Sequence, residues 1–287
     1  MALITPFTSD GNVDYKSLTR LVEYQIDNGA DFLCILATTS EAPCLSAEEK
    51  EKVKQLVIEV NRGRLPLLMG CGGNNTKAIV EELKNSDWRG IDGVLSVCPY
   101  YNKPSQEGLY QHFKAIAEAS PLPVVLYNVP GRTGVNLKAE TTVRLANDCE
   151  NIIAIKEASG NIGYTAKVAA KCGDKIDIYS GNDDMIVPIM SLGGKGVISV
   201  LSNVLPKETH QMTQYCLENN FAAASELQLK YLRLINDLFM EVNPIPVKEA
   251  MNQLGMPSGP CRMPLLDMSD EHKAAMQATL RAYGMLS

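Results

Sequence analysis

Eight short apolar runs, each followed by a segment of helical spacing, constrain the fold of this chain more than any other feature. The predicted strands cover residues 3–4, 32–36, 65–69, 93–97, 124–127, 152–156, 176–179 and 196–199. A repeated strand–helix alternation of this length indicates a closed parallel barrel. An open nucleotide-binding sheet usually has fewer strands and a glycine-rich turn after the first. The glycine cluster at residues 70–73 follows the third predicted strand and lacks the Gly-x-Gly-x-x-Gly spacing.

The alternation stops near residue 220, where helical patterns follow one another without strands between them. Helices are predicted over residues 221–242, 247–254 and 270–283. We therefore predict a (β/α)8, or TIM, barrel over residues 1–219 and a small all-helical domain over residues 220–287.

Composition excludes several classes of function. The chain has 287 residues and a net charge of -6, which argues against nucleic acid as a partner. Its eight cysteines form no Cys-x-x-Cys pair and its three histidines lie far apart, so neither a metal site nor a disulfide framework is predicted. No leader or membrane span is evident in the pattern, and a cytoplasmic protein with reduced cysteines is expected.

The sixth predicted strand ends in Lys156, after the apolar residues 152–155. A lysine at the end of a buried strand lies where an apolar wall meets a cavity. At the ordinary pKa of about 10.4 few lysines are neutral at pH 7, so a nucleophilic lysine needs desolvation or a nearby cation. The alternative is a lysine that extends to the surface and pairs with a carboxylate there.

Other polar residues follow the remaining strands, and the reacting groups of such barrels collect at the carboxyl ends of the strands. The residues at these strand ends are Thr38, Thr39, Tyr101, Tyr127, Arg132, Asn182 and Asp183, together with Gly181. One amine with phenols, hydroxyls and a guanidinium suits carbonyl chemistry through a Schiff base. Each residue also has a structural alternative: the tyrosines as wall residues, Thr38 as a turn cap and Arg132 in an ion pair.

Several longer motifs resemble one family over nearly the whole chain. They cover residues 3–7, 38–41, 99–102, 111–113, 127–134, 155–158, 180–183, 196–199 and 243–248. In these motifs the chain resembles the dihydrodipicolinate synthase family of Schiff-base-forming, class I aldolase-like barrels.

The resemblance implies a catalytic set. Lys156 would form an imine with pyruvate, so that no cofactor is required. Tyr127, Thr38 and Tyr101 would relay protons, with Tyr101 reaching in from the neighbouring subunit of a tight dimer. A homotetramer built as a dimer of such dimers is implied as well.

The resemblance also implies a substrate-binding set. Thr38 and Thr39 would hold the pyruvate carboxylate, and Arg132 would guide the carboxylate of L-aspartate-4-semialdehyde. Gly181 and Ile198 would line the pocket with backbone carbonyls. The product would be 4-hydroxy-tetrahydrodipicolinate, a step toward diaminopimelate and lysine.

Two departures from the family pattern carry expectations of their own. Ala37 and Ser40 stand at the two positions where the family usually has glycines on either side of the threonines. Serine tolerates unusual backbone angles less well than glycine, so the sequence does not determine the shape of the carboxylate pocket. The allosteric lysine site of some relatives uses histidines and a glutamate, and the corresponding positions here are Ala47, Lys50 and Ala78. Only Asn74 and Tyr100 match that site, which predicts weak or absent lysine feedback.

Two rival functions are compatible with the residues. The nearer is N-acetylneuraminate lyase or a keto-sugar-acid aldolase of the same superfamily, which shares the lysine and the tyrosine. Arg132 argues against it, because a polyhydroxylated acceptor calls for neutral contacts whereas a carboxylate calls for arginine. The other rival is a non-catalytic ligand-binding barrel, which would be expected to lack Lys156 or Tyr127.

Overall fold

Seven parallel strands, ordered in the sheet as in the chain, form the framework of the computed structural model, which describes residues 1–287. They are β1 (Leu33–Ile35), β2 (Leu67–Gly70), β3 (Gly93–Val97), β4 (Val124–Asn128), β5 (Ile152–Glu157), β6 (Asp177–Ser180) and β7 (Gly196–Val197). The register places Lys156 of β5 between Tyr127 of β4 and Tyr179 of β6.

Helices connect and follow these strands. They are α1 (Tyr15–Asp27), α2 (Ala47–Asn61), α3 (Thr76–Asn85), α4 (Gln106–Ala119), α5 (Pro130–Thr133), α6 (Ala139–Asp148), α7 (Ile162–Cys172), α8 (Ile186–Met190), α9 (Pro206–Leu217), α10 (Phe221–Asp237), α11 (Ile245–Gln253) and α12 (Asp270–Ala282). A capping box formed by Ser46 and Glu49 begins α2. None of the helices has the length and apolar character that crossing a membrane requires.

The first predicted strand is too short to be a regular strand. Ala2 forms a single parallel bridge with Cys34 of β1. Its backbone is nevertheless bonded on both sides: Leu3 N–H donates to the Cys34 carbonyl at 2.9 Å and Ala2 N–H donates to the Ser199 carbonyl at 2.8 Å. This segment therefore occupies the eighth strand position of a (β/α)8 barrel, which confirms the predicted fold class.

The chain divides into two compact units. The first comprises Met1–Leu67 and Ser199–Ser287, and the second comprises Leu68–Ile198. The second unit contains β3 to β6, whose central apolar residues Val94, Leu126 and Ile155 are fully buried. The predicted division into residues 1–219 and 220–287 stays a prediction.

In the first unit, the helical tail packs on its own helices and on the start of the chain. Gly259 has a left-handed backbone (φ +67°), and a Cβ there would lie 1.7 Å from the Phe7 carbonyl oxygen. Only glycine fits this position, because backbone atoms cannot give way as a flexible side chain can. The segment after α11 is thereby held against residues 6–7.

Candidate active site

Lys156 is a buried lysine without a carboxylate partner. Its side chain lies within the second unit and is only 5% exposed. It forms no ion pair, and its Nζ lies 4.4 Å from the centre of the Tyr127 ring. The alternative of a surface lysine paired with a carboxylate is therefore wrong. A buried primary amine of this kind is the group that a Schiff-base mechanism needs.

Gly181 gives Lys156 its space. A Cβ at Gly181 would lie 3.2 Å from Lys156 Cε, 3.1 Å from the Glu157 carbonyl oxygen and 2.6 Å from Ala158 Cβ. The Gly181 N–H donates to the Glu157 carbonyl at 2.7 Å, so the two backbones lie close together. Lys156, Tyr127 and Gly181, which the sequence placed at three different strand ends, thus lie together.

Arg132 lies in the short helix α5, in a segment that we call the Arg132 loop, residues 129–137. Arg132 itself is exposed, whereas Thr133 next to it is buried. Thr133 Oγ1 donates to the Val135 carbonyl at 2.9 Å and also lies 3.2 Å from the Val129 carbonyl oxygen. The loop therefore has a fixed interior and presents Arg132 at its surface.

A buried carboxylate–amide pair joins this loop to β5. Asn128 Nδ2 donates to Glu157 Oε2 and to Asn136 Oδ1, both at 2.9 Å, and Leu137 N–H donates to Asn128 Oδ1 at 3.0 Å. Ser159 N–H donates to the other Glu157 oxygen at 2.6 Å. Burial raises the pKa of Glu157, and the hydrogen bonds from Ser159 and Asn128 oppose this.

Tyr101 lies on the loop after β3, in the second unit. Its side chain is 88% exposed, and its backbone is left-handed with φ 71°. An aromatic residue in that conformation is unusual, and such residues occur disproportionately at functional sites. The Tyr101 ring is thus accessible to another molecule.

The two threonines lie in the first unit, in a turn after β1. The Thr38 carbonyl accepts the Glu41 N–H at 3.0 Å, while the Thr38 side chain forms no hydrogen bond within the chain. Thr39 is buried, and its Oγ1 accepts a hydrogen bond from Asn243 Nδ2 at 3.0 Å. The Thr39 hydroxyl therefore has a fixed position, whereas that of Thr38 is free to bind a ligand.

A buried ion pair supports this turn from the helical tail. Lys248 Nζ lies 2.7 Å from Glu41 Oε1, and both side chains are at most 2% exposed. Lys248 also donates to the Pro260 carbonyl at 2.8 Å, and Arg262 N–H donates to the other Glu41 oxygen at 2.8 Å. Burial lowers the pKa of Lys248, and Glu41 opposes that shift.

The backbone strain expected beside the threonines lies at other residues. Leu36 (φ 51°) and Glu41 (φ 53°) are left-handed, whereas Ala37 and Ser40 are not. The Ser40 side chain instead makes a hydrogen bond: its Oγ donates to the Leu3 carbonyl at 2.7 Å. A serine here joins the turn to the start of the chain, which glycine could not do.

The remaining predicted site residue is Ile198, which is 1% exposed and whose N–H donates to the Ser180 carbonyl at 2.8 Å. It follows β7 in the second unit. No group of three or more His, Cys, Asp and Glu side chains is arranged to hold a metal ion.

Sequence reasoning assigned no role to Glu41, Asn243, Lys248, Asn128 or Glu157. All five lie within motifs that carry the resemblance, and all five are buried. The available signal was their chemistry: a charged or amide side chain within an otherwise apolar stretch needs a buried partner. The sequence does not reveal which partner each one has.

The fold and the site define a class: a (β/α)8 barrel with an unpaired, buried lysine at the carboxyl end of a strand. The chain belongs to the dihydrodipicolinate synthetase family, whose model matches residues 1–283.

Similar proteins agree with that membership over almost the full length. A protein of Phocaeicola vulgatus named 4-hydroxy-tetrahydrodipicolinate synthase is 53% identical over 93% of this chain and 90% of its own. A protein of the same name from Clostridium perfringens is 49% identical over 100% of this chain and 98% of its own. A dihydrodipicolinate synthase from Acinetobacter baumannii, solved in complex with pyruvate, has 41% identity and a TM-score of 0.96, covering 99% of this chain and 98% of its own.

Proposed function

We propose that this protein is a 4-hydroxy-tetrahydrodipicolinate synthase, which condenses pyruvate with L-aspartate-4-semialdehyde through an imine on Lys156. The observation that carries the proposal is the buried Lys156 amine, which has no ion pair and lies against the Tyr127 ring. The names of the full-length relatives support the choice of reaction, which belongs to diaminopimelate and lysine biosynthesis.

The first half of the reaction activates pyruvate. The Lys156 amine attacks the keto carbon and water leaves, giving the imine. The protonated imine nitrogen withdraws electrons from the pyruvate methyl group, and loss of a methyl proton gives the enamine. No external cofactor is needed, because the imine itself is the electron sink.

Proton transfer needs a relay. A tyrosine with the ordinary pKa of about 10 is a poor base at pH 7. In this proposal Tyr127 exchanges protons through the Thr38 hydroxyl and Tyr101. The free Thr38 hydroxyl and the exposed, left-handed Tyr101 suit these roles.

The second half joins the two substrates. The enamine carbon attacks the aldehyde of the semialdehyde, and attack of the semialdehyde amine on the imine carbon closes the ring and releases Lys156. Thr38 and Thr39 hold the pyruvate carboxylate, with Thr39 fixed by Asn243. Gly181 and Ile198 line the pyruvate pocket with their carbonyls. Arg132 binds the carboxylate of the second substrate as a planar donor.

Tyr101 also motivates a proposal about assembly. We expect it to enter the site of a neighbouring subunit, in a tight dimer that pairs into a homotetramer. The protein would act in the cytoplasm, where both substrates are small metabolites.

The test combines trapping with turnover. The protein is incubated with pyruvate and sodium borohydride, digested, and searched for the modified residue by mass spectrometry, while consumption of L-aspartate-4-semialdehyde is measured in parallel. We expect an adduct on Lys156 together with turnover. Lys156→Met should lose both, whereas the control Lys171→Met, at an exposed lysine of the same unit, should still be trapped at Lys156.

Each other outcome has a definite meaning. If Lys156 is trapped but the semialdehyde is not consumed, the enzyme is a sibling aldolase of the sugar-acid type. If Lys156 is unmodified, the Schiff-base proposal is wrong, and a pyruvate-binding barrel without catalysis is the better account.

A further inference from the structure

The two ends of the Arg132 loop are fixed by different means. Its start follows β4 directly. Its end is held by two side chains: Asn128 bonds Asn136 Oδ1 and Leu137 N–H, and Gln106 Nε2 donates to the Asn136 carbonyl at 2.8 Å. Arg132 lies between these two ends, so its position depends on how Asn128 is oriented.

Glu157 decides that orientation. The Asn128 amide is fully buried, and its Nδ2 lies 2.9 Å from Glu157 Oε2. The second Glu157 oxygen accepts the Ser159 N–H at 2.6 Å. Both carboxylate oxygens therefore face donors. A glutamine at position 157 would have only one acceptor oxygen. Whichever way the Asn128 amide turned, one N–H donor would then face another N–H donor.

Glu157 is also the residue that follows Lys156 on β5, in register with Asn128 beside Tyr127. Successive side chains of a strand point to opposite faces. Lys156 thus points toward Tyr127 on one face, while Glu157 and Asn128 join the same two strands on the other. The strand that carries the amine is in this way connected to the loop that carries the guanidinium.

We propose that Glu157 and Asn128 form a positioning pair that sets where Arg132 lies relative to Lys156, and hence the affinity for the second, carboxylate-bearing substrate. This inference rests on the proposed function, because it assigns Arg132 to that substrate. Neither residue touches the reacting atoms.

The test separates acceptor binding from pyruvate chemistry. For Glu157→Gln we expect a rise of about tenfold in KM for L-aspartate-4-semialdehyde, from the loss of one buried hydrogen bond. Borohydride trapping of pyruvate on Lys156 should keep its wild-type rate. A role in stability alone would lower the melting temperature without separating the two substrates.

A double exchange provides the rescue. In Asn128→Asp combined with Glu157→Gln, the new amide donates to the new carboxylate and still accepts the Ser159 N–H. The carboxylate accepts the Leu137 N–H, and Asn136 satisfies it by turning its own amide. The net charge is unchanged. We expect KM to return to within about twofold of wild type, and failure to do so would contradict the pair.

Arg132→Lys distinguishes the two levels of proposal. If wild type turns over the semialdehyde and Arg132→Lys raises KM while Glu157→Gln does not, the positioning pair is wrong and the proposed function stands. If Arg132→Lys leaves KM unchanged, the assignment of Arg132 fails, and with it the inference. If Glu157→Gln adds nothing to KM in the Arg132→Lys background, the pair acts through Arg132 as proposed.

Discussion

At the scale of single residues, the clearest contrast is among three buried lysines. Lys54 is paired with Glu51 and Lys248 with Glu41, whereas Lys156 alone has no carboxylate. Burial of a paired lysine is explained by its partner, since leaving a buried charge uncompensated is costly. The unpaired Lys156 has no such partner, and its burial agrees with the proposed imine chemistry at its amine.

Gly181→Ala tests how much space the Lys156 side chain needs. The added methyl group would meet Ala158 Cβ at 2.6 Å and Lys156 Cε at 3.2 Å. We expect the rate of pyruvate trapping to fall by about tenfold or more, because a misplacement of about 1 Å is enough for such a loss. Gly73→Ala is the control, since its nearest neighbour, Ile79 Cδ1, is 3.9 Å away. Equal rates for both variants would contradict this.

Tyr127→Phe separates proton transfer from imine formation. The ring that lies against Lys156 Nζ is kept, and only the hydroxyl is lost. Steady-state kinetics should show kcat reduced by about 10²–10⁴-fold, the usual range for general acid–base catalysis, with slow activity remaining. Complete loss together with unfolding in a thermal melt would indicate a structural role instead.

At the scale of elements, the N-terminus of α2 is bonded to the segment after α11. Glu49 completes the capping box by accepting the Ser46 N–H at 2.9 Å, and it also accepts from Arg262 Nη1 at 2.8 Å. Arg262 extends the network to the Gly11 and Cys44 carbonyls. One carboxylate thus serves a helix cap and a contact distant in sequence.

We predict that Glu49→Gln lowers the free energy of unfolding in a pH-dependent manner. Hydrogen bonding from Arg262 lowers the pKa of Glu49 from 4.5 to about 2. Because the folded pKa lies below the unfolded one, the stabilisation is present above about pH 4.5 and is lost as pH falls toward about 2. Denaturant unfolding at pH 7 should show Glu49→Gln less stable by about 1–3 kcal/mol.

At pH 3 the difference between wild type and Glu49→Gln should be smaller than at pH 7. Glu48→Gln is the matched control, because its partner Lys52 and Glu48 itself are both exposed. An exposed ion pair of this kind contributes little to the free energy of unfolding. A constant difference for Glu49→Gln at both pH values would mean that the carboxylate charge is unimportant.

At the scale of the whole molecule, the repeating units were predictable and the cross-links were not. Apolar runs such as residues 152–155 form strands as predicted, with Ile152, Ala154 and Ile155 buried, although Ile153 is 44% exposed. The Glu41–Lys248 pair joins residues 207 positions apart, and nothing local in either stretch specifies the partner. The short opening strand predicted at residues 3–4 is reduced in the structure to a single bridge between Ala2 and Cys34.

Feedback inhibition by L-lysine would also act on the molecule as a whole. Ala47 lies in α2 and Ala78 in α3, and neither side chain can bond an amino acid, while Lys50 would repel a lysine ligand. Asn74 and Tyr100, which match the family pattern, are joined by a 3.2 Å hydrogen bond from Asn74 Nδ2 to the Tyr100 carbonyl. Half-inhibition by sub-millimolar L-lysine in a turnover assay would overturn the expectation of weak or absent feedback.

The positioning pair of Asn128 and Glu157 divides the Arg132 loop into a base fixed by buried hydrogen bonds and a tip at the surface. Residues 130–132 are exposed or half-exposed, and a Cβ at Gly131 would meet nothing within 4 Å. A new side chain at position 131 therefore meets no steric obstacle. Laboratory evolution toward acceptors of other shapes can vary residue 131 while the amine on β5 and its supports stay untouched.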